Sequence, residues 1–195
     1  MRIYLIALIL LGLASCDQLK VPDQNVSYYY NIDSLVNYQK KVLSDKKASL
    51  EKWAYVDNDT SSSTYTPDTT QWRDELSFFN KMNINKPVLQ GVYQKKVSKD
   101  ENSNLTVTSY IPDQPQDVEI KYLKLYYYKS LNDLKKVEAE FEEKNPIYSS
   151  IRQFTLNFDK NSDELLLTKF EVKGGQKMIL KDSIQFKIEA TVQYP

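Results

Sequence analysis

Few side chains in this sequence could do covalent or metal chemistry. Cysteine occurs once, at Cys16, and histidine does not occur at all. Catalysis by Ser-His-Asp or Cys-His groups is therefore excluded, as are zinc sites that contain histidine. Because Cys16 is the single thiol, cysteine metal sites and a disulfide within the chain are excluded as well.

Carboxylates are the remaining candidates for catalysis. Two Asp or Glu side chains suffice for glycoside hydrolysis if they face each other across a cleft. The acidic positions mostly fall on strand faces or in loops that we predict to be solvated. The chain has four glycines and neither the GxGxxG nor the GxxxxGK[ST] pattern, so no phosphate-binding loop is predicted. We expect a protein that is not an enzyme and has no metal or cofactor.

One segment has oxygen-bearing side chains at a spacing similar to that of a calcium loop. It reads DNDTSSSTYTPD over residues 57–68, between two predicted helices. Places 1, 3, 5 and 12 of this segment are Asp57, Asp59, Ser61 and Asp68. An EF-hand loop needs glycine at the sixth place and a bidentate glutamate at the twelfth, and the segment has neither. We interpret it as a polar linker.

Cys16 follows a short apolar run that indicates a different role for its thiol. The chain begins MRIYLIALILLGLASC, with one positive charge at Arg2. At about 1.5 Å per residue, the apolar run over residues 3–13 is well short of the ~30 Å hydrocarbon core, so it does not predict a permanent transmembrane helix. A charged start, a short apolar run and small residues before a cleavage point are typical of a secretory signal peptide.

The ending Leu13-Ala14-Ser15-Cys16 resembles the lipobox of bacterial lipoproteins. The resemblance covers only the leader. It implies that Cys16 carries a diacylglyceryl thioether, that the leader is cut before it, and that the new amino terminus is acylated. Buried acyl chains, at about 0.8 kcal/mol per methylene, would then hold the protein on a membrane. Two alternatives stay open: an ordinary secretory leader with a cysteine near the cut, and a buried core thiol.

The residues after Cys16 bear on which membrane holds the anchor. Asp17 resembles the inner-membrane retention signal of enterobacterial lipoproteins, and Gln18 is compatible with that signal. The composition, rich in Tyr, Asn, Lys and Ile, resembles envelope lipoproteins of the Bacteroidota, to which that rule need not apply. We expect a cell-envelope protein at the outer membrane, with the periplasmic face of the inner membrane as the alternative. Asp17 and Gln18 are the candidate sorting residues.

The charge balance gives no reason to expect nucleic-acid binding. Lys plus Arg and Asp plus Glu each total 26, and loss of Arg2 with the leader leaves 25 against 26, a net charge of −1. Lys177, Lys181 and Lys187 are too few for a nucleic-acid footprint and are predicted to lie on a solvated face balanced by acidic residues. The expected partners are a membrane, through the anchor, and another envelope protein.

We predict a signal peptide over residues 1–15, a lipidated tether over 16–25 and a single domain over 26–195. The nine polar residues after Cys16 reach at most about 30 Å, which would keep the domain close to the lipid surface. The predicted fold class is α+β, with two N-terminal helices followed by a meandering antiparallel sheet of about seven strands. One face of the sheet would pack on the helices. The other face would be polar, or the sheet would close into a partial barrel.

The first helix is predicted over residues 31–55, where the apolar residues have helical spacing. Asn31 or Asp33 can cap its start. Gln39 and Lys46 fall on the apolar stripe and make the middle of this helix less regular.

The second helix is predicted over residues 69–82, capped by one of the two threonines at its start, with Trp72 and Phe79 on one face. These two side chains and Trp53 discriminate between two functions. In a structural or partner-binding protein they would fill the space between the helices and the sheet. A lipid or hydrophobic-ligand carrier would instead need an apolar cavity of several hundred Å³ there.

From residue 88 onwards the pattern is typical of strands. They are predicted over residues 88–97, 105–111, 118–129, 151–159, 165–173 and 178–192. The segment over 130–146 fits a helix through the spacing of Leu131, Leu134, Val137 and Phe141, and a strand through the alternation of Val137, Ala139 and Phe141 with charged residues. We choose the strand, because the segments on both sides are strands.

The last strand has the clearest alternation, with Met178, Leu180 and Ile184 on its apolar side and Ile179 as the one apolar exception on the other side. Gly174 and Gly175 before it indicate a hairpin.

Paired residues must point to the same face of a sheet, and this sets the register of the predicted hairpin. A three-residue loop over 174–176 would place Val172 opposite Met178 and Phe170 opposite Leu180.

Fifteen tyrosines, with runs at 28–30 and 126–128, could bind carbohydrate or another aromatic ligand. We interpret them as packing residues, because tyrosine suits strands and tolerates partial burial. The function that the sequence favours is a membrane-anchored envelope lipoprotein with a non-enzymatic structural or partner-binding role. The alternative is a carrier lipoprotein for lipid or another hydrophobic ligand.

Overall fold

An antiparallel sheet with helices on one face makes up the part of the chain that the structure describes. This computed structural model describes residues 27–162 and 164–195. Cys16, Asp17 and Gln18, with the predicted signal peptide and tether, lie outside these residues. The helices of the described residues are α1 (Ile32–Asp45) and α2 (Thr69–Leu76). Their strands are β1 (Ser49–Val56), β2 (Asp59–Tyr65), β3 (Tyr93–Lys99), β4 (Thr106–Pro112), β5 (Ile120–Tyr127), β6 (Leu134–Asn145), β7 (Tyr148–Asn161), β8 (Glu164–Met178) and β9 (Ile184–Gln193).

The strands are arranged in the order β2-β1-β9-β8-β7-β6-β5-β4-β3, and neighbours are antiparallel. From β3 to β9 the sheet is the predicted meander. It is open, with β2 and β3 at its two edges. A large antiparallel sheet with two helices is thus confirmed for the described residues. The strand count is wrong, at nine rather than about seven, and the helices do not both precede the sheet, because β1 and β2 lie between them.

α1 begins where predicted and ends well before residue 55. The side chain of Asn31 caps it by accepting a hydrogen bond from the backbone N–H of Ser34, at 3.0 Å. Lys47 has a φ of 50°, a left-handed conformation that does not continue a helix. The prediction of one helix over residues 31–55 is wrong because its last part is β1, whose pairing with β2 and β9 outweighs the helical spacing of its apolar residues.

Gln39 on α1 and Lys46, the C-cap residue of α1, both contact β8. Gln39 is buried, and its Nε2 donates to the carbonyl oxygen of Leu165 (2.9 Å) while its Oε1 accepts from the backbone N–H of Leu167 (3.0 Å). Lys46 Nζ lies 2.7 Å from the carboxylate of Glu164. Gln39 occupies a buried position because its amide satisfies two backbone groups of the sheet.

The polar segment over residues 57–68 is not a linker between two helices. Asp57, with a φ of 50°, and Asn58 turn β1 into β2, which pairs with β1 from Asp59 to Tyr65. All of β2 except Tyr65 is exposed. The strand forms an edge of the sheet, and its other residues are one aspartate, serines and threonines without an alternating apolar pattern. The helical flanks of an EF-hand are therefore missing, and the calcium-loop resemblance has no structural counterpart.

α2 begins as predicted but is capped by a different residue. Asp68, rather than either threonine after it, accepts from the backbone N–H of Gln71 at 2.8 Å. The side chain of Gln71 accepts in return from the backbone N–H of Asp68 at 2.9 Å, which completes a capping box. A 3-10 helix, Ser77–Met82, continues the segment to its predicted end.

The ambiguous segment over residues 130–146 is mainly the strand β6, as predicted. A 3-10 turn, Leu131–Asp133, precedes it. The residues of β6 that are buried against the helical layer are Leu134, Val137, Ala139 and Phe141. The other predicted strands are confirmed with shifted ends; the strand predicted from residue 88 begins at Tyr93, after a short 3-10 turn, Pro87–Leu89.

β8 continues through residues 174–176, where the pattern predicts a three-residue hairpin loop. Val172 pairs with Ile188, and Phe170 pairs with Ala190. The predicted loop and both predicted pairings are therefore wrong.

The reason lies in β7, which pairs with β8 as far as Met178 and so carries it past the glycines. The turn into β9 spans residues 179–183. Gly174 serves a close approach of two strands rather than a turn, because a Cβ atom there would collide with the carbonyl oxygen of Ile151.

The antiparallel order places the β1–β2, β4–β5, β6–β7 and β8–β9 turns at one end of the sheet, together with the start of β3. The β3–β4, β5–β6 and β7–β8 turns lie at the opposite end.

Candidate functional site

Aromatic side chains fill the space between the helical layer and the sheet. Trp72 and Phe79 are fully buried. The ring centroid of Phe79 lies 5.8 Å from that of Phe154 on β7 and 5.5 Å from that of Phe170 on β8, both edge to face. Trp53, which we expected in the same space, lies on the other face of the sheet and is 40% exposed. At these rings the helix–sheet interface is packed core rather than a ligand cavity.

The face of the sheet that points away from the helices carries charged side chains in pairs. Glu171 lies opposite Glu189, and Lys173 lies opposite Lys187. Lys187 Nζ lies 3.1 Å from Glu171 and 2.8 Å from Glu189, and Lys169 also pairs with Glu189. The prediction that Lys187 belongs to a balanced, solvated face is confirmed.

Glu171 and Glu189 face each other on an open sheet surface and not across a cleft. Hydrogen bonds from Lys169 and Lys187 lower the pKa of Glu189 from 4.5 to about 2, so this carboxylate is ionised at neutral pH. A glycosidase needs a carboxylic acid with a raised pKa and a substrate cleft between the two groups. The pKa of Glu189 is lowered rather than raised, and the open sheet face provides no cleft.

A second charged cluster on the same face joins β5 and β6. The hydroxyl of Tyr126 donates to Glu138 at 2.7 Å, and Lys136 Nζ lies 2.8 Å from the same carboxylate. Burial raises the pKa of Glu138, but hydrogen bonds from Lys136 and Tyr126 outweigh it and the pKa is lowered. Burial and the bond to Glu138 raise the pKa of Tyr126. Neither group exchanges a proton near neutral pH, so the cluster suits packing and not acid–base catalysis.

The first tyrosine run supports the packing interpretation. Tyr29 is buried, and its ring makes edge-to-face contacts with Tyr93 and Tyr110, each at a centroid distance of 5.6 Å. Its hydroxyl donates to the carbonyl oxygen of Leu89 at 2.8 Å and accepts from the backbone N–H of Tyr93 at 3.1 Å. Both polar functions of this buried ring are therefore satisfied within the protein.

The oxygen atoms of the calcium-like segment are used elsewhere. Asp57 Oδ1 accepts the backbone N–H of Gln185 at 2.8 Å, and Asp68 caps α2. Asp59 and Ser61 lie along β2. In the described part of the chain, no group of three or more His, Cys, Asp or Glu side chains is placed to hold a metal ion.

An open depression of about 500 Å³ lies around Gly174 and Gly175. Its lining residues include Ser149, Ile151, Gln153, Lys173 and Gln185. The lining mixes polar and apolar surface and the depression opens to solvent, so it lacks the enclosure that a carrier for an acyl chain requires.

Exposed apolar side chains gather on neighbouring hairpin tips at one end of the sheet. Leu180 is completely exposed, and Ile147 and Ile179 are 63% and 58% exposed. The backbone N–H of Ile179 donates to the carbonyl oxygen of Ile147 at 3.0 Å, which joins the β8–β9 turn to the β6–β7 turn. We call this surface the apolar end, and it consists of Val56, Ile147, Met178, Ile179, Leu180 and Ile184.

The third tip, the β1–β2 turn, is held against β9. Asp57 donates its backbone N–H to the carbonyl oxygen of Gln185 at 2.9 Å, in addition to the bond that its side chain accepts from the same residue. The three tips therefore form one continuous surface. Contiguous exposed apolar surface of this kind is typical of sites that contact another protein or a membrane.

The sequence pattern assigns Met178 and Leu180 to the buried side of the last strand, and so misses the apolar end. One signal was present: Ile179 breaks the alternation, which leaves three apolar residues in a row before Lys181. In a half-exposed strand one of the three must face solvent, whereas a turn exposes them together.

Neither protein-family models nor curated proteins contain a match to this chain. Within residues 27–162 and 164–195, the helices are too short or too polar to cross a membrane. Function is therefore inferred from the chemistry of the leader and from the surfaces described above.

Proposed function

We propose that this chain is a lipid-anchored envelope lipoprotein that binds a partner through its outer surface and has no enzymatic activity. The observation that carries this proposal is the packed interior at Trp72, Phe79, Phe154 and Phe170, where a carrier would need an apolar cavity. Contacts with a partner would then be made by the outer surface of the domain. The carboxylates of the sheet face are neutralised by lysines, which supports a role without acid–base chemistry.

The anchor is Cys16, through the diacylglyceryl thioether that the lipobox resemblance implies. Lipid attachment confines the domain to the plane of a membrane, so even a weak contact with another envelope protein becomes effective there. The outer membrane is the proposed location, and Asp17 and Gln18 are the residues whose substitution would redirect the protein if a retention rule operates.

Acyl labelling tests the anchor directly. In a bacterium with an outer membrane, the wild-type chain should incorporate labelled palmitate and sediment with membranes. Cys16→Ala should remove both properties, because it removes the acceptor sulfur. Ser15→Ala is the matched control: it keeps a small residue before the cut and should be labelled as well as the wild type. Acylation of the Cys16→Ala chain would contradict the proposal.

Bound lipid distinguishes the partner-binding role from the carrier role. Native mass spectrometry of the membrane-extracted protein should show the covalently lipidated chain without additional lipid, since the helix–sheet interface is filled. A stoichiometric non-covalent lipid that dissociates on unfolding would overturn the partner-binding role in favour of the carrier.

A further inference from the structure

The apolar end is not explained by the packing of the domain. Leu180 is completely exposed, so its side chain contributes no burial to folding. It also has a φ of 62°, a left-handed conformation that is unfavourable for a leucine. A polar residue would suit the turn better on both counts. An exposed leucine in a strained turn therefore points to a contact outside the domain.

The β6–β7 and β8–β9 tips project beyond the start of strand β5. The backbone N–H of Glu142 donates to the carbonyl oxygen of Glu119 at 2.8 Å, next to the start of β5. Beyond that bond, β6 and β7 pair over three more rows, from the Glu143–Ser150 pair to the Asn145–Tyr148 pair. At about 3.3 Å per residue these rows raise the tips by roughly 10 Å. A projecting tip suits insertion into a soft surface better than docking into a shallow groove.

The chain enters the domain at the same end. The hydroxyl of Tyr29 contacts the backbone N–H of Tyr93, the first residue of β3. β3 and β8 are five positions apart in the sheet, or roughly 24 Å at about 4.8 Å per strand. Cys16 precedes Ser27 by eleven residues, which cannot span more than about 40 Å. A lipid on Cys16 and the apolar end can therefore meet the same membrane surface.

The charges around the tips almost balance. Three lysines and four acidic residues lie on the three turns or within three residues of them: Lys144, Lys177, Lys181, Asp57, Asp59, Glu143 and Asp182. Attraction to a bilayer would thus come from apolar burial, with the lysine stems free to reach the headgroups. The β3–β4 turn at the opposite end differs, because its residues 101–104 are polar and exposed.

We propose that the apolar end inserts into the interfacial region of the bilayer that carries the Cys16 anchor, so that the domain stands on the membrane in one orientation. This inference rests on the proposed function, since the anchor supplies the proximity. The roughly 10 Å projection of the tips matches the depth of about 5–10 Å at which interfacial segments bury their apolar side chains. The polar β3–β4 turn then points away from the membrane.

A fluorescent label beside the tips tests the orientation in the full-length, acylated protein. Cys16 is the only native cysteine and is blocked by the acyl group, so Ser183→Cys supplies one thiol in the β8–β9 turn for an environment-sensitive dye. Ser103→Cys is the matched control, because it makes the same substitution in the exposed turn at the opposite end. The labelled proteins are reconstituted in protein-free vesicles of phosphatidylethanolamine and phosphatidylglycerol.

We expect the emission of the label at position 183 to shift to the blue on reconstitution and its quenching by iodide to fall several-fold, with no change at position 103. Raising the salt concentration should not reverse the shift, since apolar burial drives it. In the Ser183→Cys protein, the further changes Ile179→Asp and Leu180→Asp should restore quenching. Both side chains are exposed, and circular dichroism checks that the fold is intact.

The outcomes separate this inference from the proposed function. If the acylated protein floats with the vesicles while the label at position 183 stays as accessible as that at position 103, the inference is wrong and the anchor stands. If the chain is not acylated, the proposed function fails. A Cys16→Ala version of the Ser183→Cys protein, which again has one thiol, is then titrated with vesicles and decides the inference by whether the label at position 183 shifts. A label that is shielded only when another protein is added would identify a protein-docking surface and overturn the inference.

Discussion

Replacing Phe79 by alanine probes the packed interface between the helical layer and the sheet. Phe79 lies in the 3-10 helix after α2, is fully buried, and contacts Phe154 and Phe170 edge to face. Its removal would leave an apolar void between two layers that are each held by their own hydrogen bonds. Such layers relax only partly, so most of the void would remain.

The expected loss follows from the burial of this ring. Phe→Ala substitutions in a core cost about 3–5 kcal/mol, which includes edge-to-face ring contacts of about 0.5–1.5 kcal/mol each. For a domain of this size each kcal/mol lowers the melting temperature by about 2–4 °C, so Phe79→Ala should lower it by roughly 6–20 °C. Phe79→Leu keeps most of the apolar volume but loses the ring contacts, so it should cost less than Phe79→Ala without reaching wild-type stability.

Urea unfolding, followed by circular dichroism and tryptophan fluorescence, gives the free energy of unfolding of the wild type and both variants. Benzene should partly restore the stability of Phe79→Ala, because dry apolar cavities bind it. A loss below about 1 kcal/mol for Phe79→Ala would mean that Phe79 lines a space that is already open, as in a carrier, and would contradict a packed helix–sheet interface.

Three further predictions use other parts of the domain. Leu43→Ala, at a fully buried position of α1, should lower the free energy of unfolding by about 2–5 kcal/mol. Leu180→Ala should change it by no more than about 0.5 kcal/mol in the absence of membranes, because Leu180 is completely exposed; urea unfolding measures both. Gly174→Ala should destabilise the fold more than Gly91→Ala. At Gly91 the φ of 77° strains an alanine but the added Cβ meets no atom, whereas at Gly174 it would collide with the backbone of Ile151; equal melting temperatures would contradict this. The pKa of Glu189 is lowered to about 2, so its contribution to stability is complete above its ordinary pKa of 4.5 and is lost as the pH falls to about 2. Glu189→Gln should therefore make the melting temperature depend less on pH between these values. An unchanged dependence would count against the ion pairs.

The meander from β3 to β9 could be predicted from the sequence because each strand alternates locally and pairs with the next one along the chain. β1 could not. Its apolar residues also fit helical spacing, and its partner β9 lies more than a hundred residues away. β2 has no apolar alternation at all, so it is a strand only because β1 supplies the hydrogen bonds.

The apolar end could not be predicted from local sequence patterns for a similar reason. The length of β7 determines where β8 ends, and that length places Met178 and the two residues after it at a tip. Trp53 shows the same limit: it belongs to the predicted core only if residues 31–55 are one helix. Trp72 and Phe79 were correctly assigned to the core, since the helical spacing of their own segment determines the face on which they lie.

The intact mass of the protein extracted from membranes shows whether Cys16 is an attachment point. We expect a chain that begins at Cys16, lacks residues 1–15, and carries the added mass of a diacylglyceryl group and an amide-linked acyl chain on its first residue. A chain of the full length, or one cut elsewhere with a free thiol at Cys16, would contradict it.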